Sequence, residues 1–199
     1  MALDGWGQRT VGERTAGLAR YAAEQQAVGG RGVSGKLYDE LMAMTCWESA
    51  ILCAWLAGGI ELNPEPGPPA LAASRRRRDI RPEAITQYPP QGSAAGFVGR
   101  NSWGNLFSEQ QPVATAAAIA GIPLGAFVGF IAPDQALRHV MIYVGNGRAA
   151  GSNNGAIFLA VSRGGWEDID LNLFFGSTAQ TTGTRMIYSR VAGQTLRRL

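Results

Sequence analysis

Apolar and polar positions along the chain change period near its middle. Residues 11–28 ("VGERTAGLARYAAEQQAV") carry good helix formers and stop at Gly29-Gly30, which predicts a helix over 11–28. Residues 45–56 ("TCWESAILCAWL") form the strongest helical segment, and 108–120 ("SEQQPVATAAAIA") read as a third helix closed by Gly121 and Pro123. Beyond these the period drops to two. "GAFVGFI" predicts a strand, and "LRHVMIYVGNGRAAGSNNGAIFLAVS" predicts a strand, a Gly-Asn-Gly turn and a second strand. "TRMIYSRV" predicts a last strand. Helices first and an antiparallel meander afterwards give an α+β fold.

The 199 residues suit one domain, 1–199, and no internal repeat interrupts it. Residues 62–99 break the pattern. They hold Pro64, Pro66, Pro68, Pro69, Pro82, Pro89 and Pro90 and the run Arg75, Arg76, Arg77, Arg78, and read as an irregular insertion. That run offers contact to an acidic partner; no interleaved aromatics support nucleic-acid stacking, so no nucleic-acid partner is expected. A hydrophobic content of 46% with 17% charged residues fits a globular chain, and a net charge of +3 demands no anionic partner. Residues 1–30 lack the apolar run of a Sec signal peptide. The most apolar window, 41–60, contains Thr45, Glu48 and Ser49, so no transmembrane segment is expected. The expectation is a soluble protein, cytoplasmic or exported by a route that needs no such signal.

Two cysteines and one histidine limit the chemistry. Cys46 and Cys53, seven residues apart on one helix, are separated by about 10 Å along its axis and cannot bridge. One histidine with two thiols on one helix gives no four-ligand zinc centre, and no phosphate loop or dinucleotide fingerprint is present, so neither metal nor cofactor is expected. Thr45-Cys46-Trp47-Glu48 has the form of a capping box, which makes Thr45 the N-cap and Cys46 the first helical residue. A thiol there feels the positive end of the helix dipole, which favours the nucleophilic thiolate. The alternative is a small core filler, the reading that also fits Cys53.

A thiol nucleophile needs a base, and the candidate is His139, at the head of "HVMIYVGNG". Alternation places His139, Met141 and Tyr143 on one face and Val140, Ile142 and Val144 on the other. With a two-residue turn at Asn146-Gly147, His139 lies opposite Asn154; with a one-residue bulge, opposite Asn153. Either asparagine would orient the ring.

At these residues the chain resembles the papain-like cysteine hydrolases, and most of all the NlpC-type cell-wall peptidases. "HVMIYVGNGR" is similar to that family's histidine strand and turn, and Cys46 precedes it in the family's order. The resemblance spans about residues 38–161. At the nucleophile this chain has Thr-Cys-Trp-Glu where the family has Asp-Cys-Ser-Gly, and twelve residues after the histidine, the family's third position, stands Gly151. The resemblance implies N-terminal helices with the nucleophile helix packed on a small antiparallel sheet, and a site of Cys46, His139 and Asn153 or Asn154. Tyr38 and Trp47 are candidates for substrate or oxyanion contact. It also implies amide chemistry through a thioester, on cell-wall peptide first. The rival within enzymes is a toxin-like effector that deamidates or transamidates protein glutamine. The rival from another class is a catalytically silent binding domain.

Overall fold

The computed structural model describes residues 6–27, 46–58, 110–135 and 137–189, with the side chains at 47, 48, 51 and 55 also outside the description. Helix α1 (Val11–Ala27) and helix α2 (Cys46–Leu56) precede strands β1 (Gln111–Pro112), β2 (Phe127–Ile131), β3 (Leu137–Gly145) and β4 (Arg148–Ser152). One-turn helix α3 (Gly155–Phe158), strand β5 (Trp166–Asp170), one-turn helix α4 (Thr178–Thr181) and strand β6 (Arg185–Ser189) follow. Six strands make one antiparallel sheet in the order β1-β6-β2-β3-β4-β5. Helices and an antiparallel sheet make the fold α+β.

Helix α1 begins where a capping box stands. The Thr10 backbone N–H donates to Glu13 Oε2 (2.7 Å), and the Glu13 N–H donates to Thr10 Oγ1 (3.2 Å). The Thr10 N–H, and next the Thr10 hydroxyl donating to the same oxygen (2.9 Å), lower the Glu13 carboxyl pKa from its ordinary value. The face α1 turns to the sheet is built of Ala16, Ala19, Ala22 and Ala23, so its backbone lies close to the strands. At one crossing nothing larger than glycine fits. A methyl at Gly125, whose φ is +79°, would lie 2.2 Å from the Gly12 carbonyl oxygen. Further along, the Arg20 guanidinium donates to the Val144 carbonyl, and the Gln26 side chain clasps the lead-in to β5 by bonding the Gly164 carbonyl (3.0 Å) and the Trp166 N–H.

Strand alternation divides the core into two clusters. On the helix side, Phe127, Val140, Ile142, Ala150 and Ile187 pack with α1 and with Ala50, Cys53 and Ala54 of α2. On the other side, Val128, Phe130, Met141, Ala149, Ile169 and Met186 pack with Ile157 and Phe158 of α3 and with 3-10 turns at Ala116–Gly121 and Leu171–Phe174.

Three expectations change. The helix read over 108–120 is, in its described part, edge strand β1 followed by a 3-10 turn. Pro112 ends the first and cannot donate within a helix, while Val113 N–H bonds the Met186 carbonyl (2.9 Å). The strand read through "GAIFLAVS" stops at Ser152, because Asn153 takes a left-handed φ of +61° and α3 begins two residues later. A strand not anticipated, β5, forms the sheet edge beside β4. The insertion at 62–99, with Arg75 to Arg78, lies outside the described residues, as do Tyr38 and Thr45. Among the described residues no helix is long and apolar enough to cross a membrane.

Candidate active site

His139 is the third residue of β3 and is 1% exposed. Its side follows the alternation with Met141 and Tyr143, and the register shift beyond it moves Leu137 instead: Phe130 pairs with His139 while Ile131 pairs with Leu137, leaving Arg138 as the extra residue. Leu137 therefore joins the helix-side cluster, and His139 turns to the other side, its ring centroid 6.0 Å from that of Phe130. Exposed Arg138 pairs with Asp134 at 2.5 Å.

The β3–β4 hairpin also carries a shift. Gly145 pairs with Arg148, but Tyr143 pairs with Ala149. Continued along the strands, that register would set Asn153 opposite His139. The left-handed turn at Asn153 removes it instead; its N–H donates to the Gly165 carbonyl (2.9 Å). The next residue, fully buried Asn154, returns its side chain to the ring, and its Oδ1 lies 2.9 Å from His139 Nε2. Of the two asparagines, Asn154 makes the contact.

The network assigns the protons. Asn154 Nδ2 donates to the Gly151 carbonyl (2.9 Å) and to Glu167 Oε2 (3.4 Å), so that end of the amide is the NH2. Oδ1 then accepts from the ring, which makes Nε2 the protonated nitrogen and leaves the lone pair on Nδ1. Nδ1 is buried and has no hydrogen-bond partner among the described residues. Burial pushes the imidazole pKa down to about 4, against the opposing bond from Asn154, so the ring is neutral at pH 7 and able to take a proton.

Cys46 is the first residue of α2, half-exposed, with its carbonyl accepting from buried Ser49 Oγ at 2.8 Å. It packs at the margin of the helix-side cluster. Cys53 is buried in that cluster, and burial pushes its thiol up to about 12. The structure thus brings His139 and Asn154 together. It does not bring Cys46 into hydrogen-bond contact with the ring: α2 packs on one side of the sheet and the imidazole emerges on the other. Trp47 lies on the first turn of α2, its side chain outside the description.

The residue that sequence reasoning missed is Glu167. It stands opposite Gly151 in the β4–β5 register and completes the amide network. "WEDID" gave no period-two signal, because its apolar residues Trp166 and Ile169 stand three apart and face opposite sides of the sheet. Comparison with protein-family models, with curated proteins and with solved structures finds no match for this chain.

Proposed function

We propose that the protein is a papain-like, cysteine-dependent hydrolase or acyl transferase that acts on an amide bond, with bacterial cell-wall peptide as the first substrate class. The observation that carries the reading is the histidine. Its Nε2–H is held by Asn154, and its Nδ1 is buried, basic in form and without a partner among the described residues. A buried ring nitrogen left unbonded costs free energy, and it is the atom a general base would use.

In the reaction, Nδ1 takes the Cys46 thiol proton and the sulfur attacks the amide carbon. The Cys46 backbone N–H, on the first turn of α2, is one donor for the resulting oxyanion. The C–N bond breaks as Nδ1–H returns its proton to the leaving amine, and a thioester remains. Water, losing a proton to Nδ1, then attacks the thioester; the acid departs and the thiol is restored. This requires Sγ within about 3–4 Å of Nδ1, and so a rearrangement that brings the α2 N-terminus and the ring to the same side of the sheet.

The test is turnover on purified muropeptides, run beside ammonia release from protein glutamine. Cys46→Ala and His139→Ala are each expected to lower the rate by about 1,000-fold or more while the fold persists. Substantial turnover in either variant would sink the proposal. Ammonia release without muropeptide cleavage would move the substrate to protein glutamine. One observation favours a catalytically silent domain, namely the placement of Cys46 and the ring on opposite sides of the sheet. That reading expects no amide turnover from the wild-type protein on either substrate.

A further inference from the structure

We propose that Glu167 is a positioning residue: acting through Asn154 and together with the Gly151 carbonyl, it biases which ring nitrogen of His139 carries the proton. The inference deepens the hydrolase reading and rests on it for its catalytic meaning. A primary amide has two ends of nearly equal shape, one donating and one accepting. Turned over, Asn154 would present its NH2 to Nε2 and leave Nδ1 as the protonated nitrogen. That tautomer has no lone pair on Nδ1 with which to take a thiol proton.

Two acceptors oppose the turned-over form, the Gly151 carbonyl at 2.9 Å and Glu167 Oε2 at 3.4 Å. Oxygen facing oxygen in a buried site is costly. The carboxylate is itself clamped, with Oε2 accepting from Ser162 Oγ (2.5 Å) and Oε1 from the Arg163 N–H (2.6 Å). Those donors sit in the turn between α3 and β5, so the local chain fixes the carboxylate, the carboxylate fixes the amide, and the amide fixes the ring. Glu167 touches neither the imidazole nor a substrate. A glutamine in its place keeps the shape, but with its oxygen held by the Arg163 N–H it turns its NH2 towards Asn154, so that only the Gly151 carbonyl still opposes the turned-over amide.

The experiment uses the fact that the chain has one histidine. Selective 15N labelling of imidazole gives one pair of ring nitrogens, whose shifts and two-bond proton couplings distinguish Nε2–H from Nδ1–H. Wild-type protein at pH 7.5 is expected to show the Nε2–H form. Glu167→Gln, folded by its melting profile, is expected to raise the ratio of Nδ1–H to Nε2–H about fivefold, the change that loss of one hydrogen bond's preference supports. A wild-type ring in the Nδ1–H form, or a folded Glu167→Gln variant with the wild-type ratio, overturns the proposal. A second measurement covers a variant that does not fold. In wild-type protein the Asn154 Nδ2 protons should show through-space contacts to the Glu167 side-chain methylene protons, and the absence of those contacts also overturns the proposal. All of this is read without substrate. A released tautomer in a protein with no amide turnover would refute the hydrolase reading and leave the role of Glu167 standing; the opposite pair of results would do the reverse.

Discussion

The two sides of the sheet solve different problems. On the helix side the helices contribute mostly alanines, Ala16, Ala19, Ala22 and Ala23 of α1 and Ala50 and Ala54 of α2, and the larger groups, Phe127, Ile142 and Trp166, come from the strands. On the other side the space under short helical turns is filled by large groups. Phe130 meets Phe158 edge-on at 5.5 Å and Phe174 at 5.3 Å, with Met141 and Met186 in the same cluster. The buried polar network of His139, Asn154 and Glu167 lies on this second side. The closely packed helices hold only small buried hydroxyls bonded within their own turns, Thr15 to the Val11 carbonyl and Ser49 to that of Cys46. On the second side the turn before β5 supplies the Arg163 N–H to Glu167, and β4 supplies the Gly151 carbonyl to Asn154. The nucleophile candidate belongs to the first side and the base to the second, and the sharpest tests set the two against each other.

The largest contrast is expected within the helix side. Cys46 is half-exposed at the head of α2, whereas Cys53 is buried with its thiol raised to about 12. Thiolate fraction and access both govern alkylation. Iodoacetamide in folded protein at pH 7.5 should label Cys46 at least about 100-fold faster than Cys53, read by peptide mapping. Equal rates would show that α2 opens as a whole, and the division of the core into a close-packed and an open side would fail.

How far this division was legible in the sequence depends on the element. Alternation in "HVMIYVGNG" assigned β3 and both its faces, because a strand covered on both sides keeps period two whatever its neighbours do. Helix α1 was legible from its formers and the following glycines, and Thr10-x-x-Glu13 marks its start. Register was not legible. Two bulges, at Arg138 and before Gly145, determine which side Leu137 takes and which asparagine the register sets opposite His139, and no residue type announces either. Tertiary pairing overrode local preference at Pro112, where an alanine-rich helical pattern gave way to an edge strand on β6. Glu167 was hidden for a related reason: an edge strand with carboxylates on both faces reads as a loop until β4 supplies its partner.

Next in size is the effect of emptying the open side. Phe130 is fully buried and contacts Phe158, Phe174 and the His139 ring. Phe130→Ala should cost about 3–5 kcal/mol in urea unfolding. On the helix side, Ala54→Gly removes one methyl from α2 and should cost about 1 kcal/mol, chiefly through helix propensity. Equal losses would mean that the helix side, too, is held by a few large contacts.

The smallest expected effect is a pH dependence belonging to one ring. The His139 pKa is about 4 in the folded protein against an ordinary value of 6.5, because burial disfavours the cation. The unfolded chain therefore binds the proton first as pH falls. Stability from the buried neutral ring is complete above pH 6.5, declines by about 1.4 kcal/mol per pH unit between 6.5 and 4, and falls no further from this group below 4. The check is the urea midpoint against pH for wild-type protein and His139→Gln, whose difference removes the carboxylates common to both. The wild-type curve should bend downward below pH 6.5 relative to the variant, by about 3 kcal/mol in all. Parallel curves would mean that the ring reaches water in the folded state, which closure of α2 onto an accessible imidazole would require.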